Sequence, residues 1–137
     1  MTNTPAQDGA PVENAVSLRL ANGPLTAPVL SRVVTMVLAR ANCPIDRLDD
    51  AILVCDAISA HAPAYSRDGY LAFSVTTRGR GVELRVGELI EQGADGLVRD
   101  ALVPEVGNVL EHISEELRVV KSADGSGEEL VLKLSFG

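Results

Sequence analysis

Leu71, Phe73 and Val75 alternate with Ala72, Ser74 and Thr76, and the same rhythm resumes at Val82, Leu84 and Val86 after Arg78-Gly79-Arg80-Gly81. Successive side chains of a strand point to opposite faces. The pattern therefore predicts an antiparallel hairpin, 70–77 with 82–88, that is apolar on one face only. Such a face needs a cover, and this need limits what the rest of the chain can do. The chain ends on a second hairpin of the same kind, 118–121 with 129–136. Leu130, Leu132, Leu134 and Phe136 face one side, and Asp124-Gly125-Ser126-Gly127 is ordinary turn chemistry. A shorter alternation, Val16-Ser17-Leu18-Arg19-Leu20, predicts a first strand that Asn22-Gly23-Pro24 breaks.

The cover comes from segments with helical period. Val29, Leu30, Val33, Val34, Val37, Leu38 and Ala41 recur on one stripe over 27–41, with Thr26 placed to cap and Pro28 in the first turn. After Asn42-Cys43-Pro44 a second helix spans 46–62. Asp46 is its expected cap, Asp49 and Asp50 suit the positive end of its dipole, and Leu48, Ile52, Cys55, Ile58 and Ser59 form its core stripe. A third stripe, Val106, Val109, Leu110, Ile113 and Leu117, predicts a helix over 106–117, and 93–100 reads as a short helix or ordered loop. Val33 and Ile113, each mid-stripe, are expected to be buried. Hairpins separated by helices make an α+β two-layer sandwich, a mostly antiparallel sheet with the helices on one face. Residues 1–13, rich in Thr, Pro, Asn, Gln and Gly, read as a disordered tail before a single domain over 14–137.

With aromatics at 3% of 137 residues and no Trp, the core has to be built from aliphatic side chains. A net charge of −7 argues against nucleic acid and against an anionic membrane surface, since both need a basic face. No apolar run reaches the roughly 20 residues that span a bilayer, and 1–12 carries no signal-peptide core, so a cytoplasmic protein is expected. Cys43 and Cys55 read as free, small hydrophobes. Neither a Cys-x-x-Cys nor a His pair is present to bind zinc. There is no Gly-x-Ser-x-Gly, no phosphate-loop lysine motif and no His-Glu-x-x-His.

The order of elements, with the phrase Cys43-Pro44-Ile45-Asp46-Arg47-Leu48-Asp49-Asp50-Ala51 leading into the second helix, resembles the GHKL fold of histidine kinases and Hsp90-like ATPases. It is most similar to the small bacterial anti-sigma-factor serine kinases, over residues 16–136. The resemblance implies an ATP site built from three motifs. The first is a Glu and an Asn four residues apart on the second helix, the Glu as base and the Asn as Mg²⁺ ligand. Here Asp56 and Ala60 stand there. Ser59 and His61 point about 100° away around the helix and do not substitute. The second is an Asp-x-Gly-x-Gly whose Asp holds adenine. Gly87 occupies the Asp position, and Glu88 is an offset acid that would need a register shift. The third is a glycine-rich phosphate motif. Only Gly107 remains of it, in Pro104-Glu105-Val106-Gly107-Asn108, and Glu105 would repel phosphate.

Three readings follow from the resemblance. One is a non-catalytic regulatory protein acting by protein–protein contact, with a sigma factor or an anti-sigma antagonist as partner and its acidic surface suiting a basic one. The second is an ATP sensor without turnover. The third is an active Mg-ATP-dependent serine/threonine kinase with Asp56 as base. The triple loss favours the first, because phosphoryl transfer relies on Mg²⁺ to neutralise developing charge. Asp56 then faces a vestigial pocket or bonds a nearby backbone group. His61 reads as a favourable charge at a helix C-terminus, His112, Arg78 and Arg80 as solvated, and Asp49-Asp50 as a helix-start pair. The resemblance also implies a homodimer.

Overall fold

The structure is a computed structural model and describes residues 11–103, 107–122 and 127–136. Its elements run β1 (Val12–Ala21), α1 (Thr26–Arg40), α2 (Ile45–His61), a single 3-10 turn (Ala62–Tyr65), β2 (Tyr70–Arg78), β3 (Gly81–Leu89), α3 (Gly93–Asp100), β4 (Leu102–Val103), β5 (Gly107–Asn108), α4 (Val109–Ile113), β6 (Glu116–Lys121) and β7 (Glu128–Ser135). Strands β1-β2-β3-β7-β6 form one five-stranded sheet in which every pairing is antiparallel. β4 and β5 form a separate small ribbon.

The period-2 reading accounts for the layering. Leu71, Phe73 and Val75 of β2, Val82, Leu84 and Val86 of β3, and Leu130, Leu132 and Leu134 of β7 all share one buried face. The helices cover that face with Leu30, Val34, Val37 and Leu38 from α1 and Ala51, Val54, Cys55 and Ile58 from α2, giving one aliphatic core. The opposite face carries Arg19, Ala72, Ser74, Glu83, Arg85, Glu129 and Lys133, and the helices that pack on the core leave it open among the described residues. The fold is therefore the expected α+β two-layer sandwich. No helix among the described residues is long and apolar enough to cross a membrane.

Several local expectations are corrected. The helix read over 106–117 is only Val109–Ile113; Ser114 turns extended and Glu115 N–H bonds the Lys133 carbonyl, leading into β6. Leu117, four residues after Ile113, suits a helical stripe, but in β6 it packs on the core opposite Leu132 instead. Val33 and Ile113 lie at the margin of the core, half-buried, with Val34 and Leu110 at its centre. β1 starts at Val12, so Val12 and Glu13, read as tail, are strand; residues 1–10 lie outside the described residues. The helix caps also shift by a position or two. Thr26 is the first helical residue of α1, its buried hydroxyl accepting the Gly23 N–H at 3.2 Å. Pro44 precedes α2, leaving Asp46 in the first turn.

Candidate functional site

The inward arc of α2 is set by Ala51, Val54, Cys55 and Ile58, at spacings of three and four, all fully buried. The helix turns 100° per residue, so Ile45, Asp49, Leu53, Asp56 and Ala60 fall within an arc of about 80° on the opposite side. All five are exposed. Asp56 and Ala60, the two positions at which the resemblance places base and metal ligand, thus share one face as their spacing requires, and that face looks outward. Ser59 and His61 flank it, half-buried. Asp46, Asp49 and Asp56 form no ion pair among the described residues, whereas Asp50 is held by Arg47 at 2.6 Å, and Arg47 also donates to the Ser135 carbonyl. Next to Asp56, the Cys55 thiol is buried and pushed up to about 12, by burial first and then by the Asp56 charge. It is inert packing, and Cys43 is half-buried and free.

Gly87 and Glu88 sit in a β-bulge. Val86 pairs with Leu130 and Leu89 with Glu128, so Gly87 and Glu88 together oppose only Glu129. Strict alternation from Val82, Leu84 and Val86 would aim Glu88 into the core. The bulge, with φ of 53° at Glu88, resets the phase: Leu89 is buried and Glu88 turns to the open face. There Glu88 binds Arg19 of β1 through both carboxylate oxygens at 2.9 and 3.2 Å. The Arg19 hydrogen bond, helped by the charges of Arg19 and Arg67, holds the carboxyl below its usual range. Gly87 lies under Glu129, where a Cβ would come within 3.0 Å of Glu129 Cγ. The bulge carries the offset acid to the face of the sheet opposite the helix layer to which Asp56 belongs.

Gly107 adopts φ of 94°, and an added Cβ would lie 2.8 Å from His112 Nε2. Asn108 caps the five-residue α4, its carboxamide oxygen accepting the Glu111 N–H at 3.1 Å while its amide donates to the Val98 carbonyl at 2.6 Å. Glu105 lies outside the described residues, as does the Asp124-Gly125-Ser126 part of the last turn. His112 is exposed.

Two features escape a sequence reading. Glu128, only 6% exposed, closes the start of α3: its carboxylate accepts the N–H of Gln92 at 2.9 Å and of Ala94 at 3.2 Å, and the Lys121 ammonium at 3.0 Å. Burial pushes this carboxyl up, but the Gln92 amide, the Lys121 hydrogen bond and the Ala94 amide outweigh it and leave it below the ordinary value. The second feature is an ion-pair network on the open sheet face. Arg85 bridges Glu83 (2.7 Å) and Glu129 (2.9 Å), and Arg118 (3.1 Å) and Lys133 (3.9 Å) share Glu116. Glu128 is thirty-four residues from Ala94 in sequence, so no local motif marks it; the network is legible only once strand register is known. Among the described residues no three His, Cys, Asp or Glu side chains are grouped to hold a metal ion.

No family model matches the chain, and no curated protein matches it in sequence. Among solved structures it is similar to the RsbU and RsbW domains of Rv1364c from Mycobacterium tuberculosis. The two share 12% identity and superpose with a TM-score of 0.58 over 90% of this chain and 32% of the other. This likeness shows a common fold, in a chain about one third the length of its neighbour.

Proposed function

We propose that this chain is a non-catalytic regulatory protein of the anti-sigma type, which acts by binding another protein and does not transfer or hydrolyse the phosphate of ATP. The observation that carries the reading is the dispersal of the positions a nucleotide would need. Asp56 and Ala60 face outward from α2. Gly87 and Glu88 are engaged by Glu129 and Arg19 on the far side of the sheet. Gly107 is crowded by His112, and Asn108 takes up the Glu111 amide. Ala60 contributes a methyl group where a hard cation wants oxygen.

The shared fold with an RsbW-containing protein agrees with this reading. Its partner is a regulatory protein such as a sigma factor or an anti-sigma antagonist. The net charge of −7 favours a basic partner surface and speeds encounter with it. The test is a thermal melt with and without Mg-ATP, followed by a phosphotransfer assay on candidate regulators. A ligand at 100 times its Kd adds about 2.7 kcal/mol, so binding in the micromolar range would raise the midpoint at millimolar Mg-ATP. An unmoved midpoint and no labelled product are expected. A Mg-dependent rise would reassign the chain as a sensor, and labelled product as a kinase.

A further inference from the structure

We infer that the outward face of α2 is where the partner docks, and that the partner presents a basic amphipathic helix; this rests on the regulatory reading above and adds the surface and the chemistry. The face is built from Ile45, 74% exposed, and Leu53, 51% exposed, with Asp49, Asp56 and Ala60 between and beyond them. At 1.5 Å per residue it runs about 22 Å from Ile45 to Ala60, or four turns, which is the reach of one docked helix. Neither Ile45 nor Leu53 belongs to the core, and both leave apolar surface for a partner to cover.

Charge complementarity names the occupant. Asp46, Asp49 and Asp56 form no ion pair among the described residues, and the one arginine of this helix, Arg47, is engaged by Asp50 and the Ser135 carbonyl. Lys or Arg side chains beside an apolar stripe would supply the missing charge while the stripe covers Ile45 and Leu53. A second copy is a poor occupant. A two-fold contact centred on this face would set Asp49 of one copy against Asp56 of the other, a like-charge arrangement made twice. The open sheet face is a poor alternative surface for the same partner, since its arginines and lysine are already matched to its acids.

The experiment is fluorescence anisotropy of the whole chain with a labelled 18-residue helical peptide that carries leucines at every third and fourth position, flanked by lysines. A scrambled peptide of identical composition is the control. Saturable binding is expected, at least tenfold tighter than for the scrambled peptide. It should weaken at least tenfold in Leu53→Ser and, independently, in Asp49→Asn/Asp56→Asn, while Arg85→Ala on the open face leaves it within twofold. All four substituted positions are wholly or partly exposed, so far-UV circular dichroism should show native folding in each variant. Absence of binding, equal binding of the scrambled peptide, or binding indifferent to both α2 variants would overturn the placement and leave the regulatory reading standing. Mg-ATP binding by the same sample would overturn that reading instead. A sedimentation mass that rises with concentration in the native chain but not in Leu53→Ser would give the face to a second copy and also overturn the inference.

Discussion

On the open side of the sheet, Arg85 lies between Glu83 and Glu129, Glu116 is shared by Arg118 and Lys133, and Arg19 grips Glu88. On the outer side of the helix layer, Asp46, Asp49 and Asp56 stand near Ile45 and Leu53 and form no ion pair among the described residues. Both surfaces face solvent, and they carry charge in opposite ways. Cross-strand neighbours a few ångströms apart can be chosen as opposite charges, and such a face largely cancels its own field. A helix face with one sign of charge keeps its field and extends it to whatever approaches. Exposure alone therefore does not distinguish a finished surface from one awaiting a partner; pairing does.

That contrast can be tested as a graded series. The largest effect belongs to Glu128, a buried acid whose charge is fully partnered at the start of α3. Glu128→Ala leaves the Gln92 and Ala94 amides without an acceptor, and unsatisfied buried donors of this kind should cost about 2–3 kcal/mol, read as a lower urea midpoint. Its carboxyl is held below the ordinary value in the folded chain. The stability it supplies is therefore fully present above the unfolded-state value of about 4.3 and is lost as pH falls through the lower folded one. Glu128→Gln should flatten that acid limb of the stability curve. An unchanged limb would show that the cap is not made in solution.

A smaller effect is expected from Arg85→Ala, which separates a half-exposed bridge and leaves Glu83 and Glu129 facing each other. A loss of about 0.5 kcal/mol, shrinking further in high salt, fits a screened pair of this kind. A loss above 2 kcal/mol would mean that the open face is held together by its charges rather than merely neutralised by them. The smallest effect belongs to α2. Asp56→Asn should move stability by no more than about 0.5 kcal/mol, because nothing in the fold depends on that carboxylate. A larger drop would contradict its unpaired state.

The parts of this architecture that could be read from sequence were those where two signals agreed. The β2–β3 hairpin had both alternation and a glycine-rich turn, and α1 and α2 had long stripes of consistent period. The stretch after Gly107 had one signal that fitted two structures, since Ile113 and Leu117 are four apart and Leu117 begins an alternation as well. The bulge at Gly87 and Glu88 left no mark, because inserting one residue into a ladder changes register without changing composition. Its consequence was large, sending Glu88 to the opposite face from the one its alternation implied. The site positions on α2 were legible as a spacing, but their outward aspect depends on which arc the core takes. The apolar residues that do not belong to that arc, Ile45 and Leu53, were the signal available for it.

Calorimetric titration of Mg-ATP into the native chain, with Ala60→Asn as its companion, tests the central claim most directly. If the nucleotide positions are dispersed as described, neither protein should give a saturable heat, because restoring one ligand brings back neither an adenine acid nor phosphate donors. A micromolar, Mg-dependent isotherm from the native chain would contradict the account, and one that appeared only in Ala60→Asn would show that the remaining positions still converge.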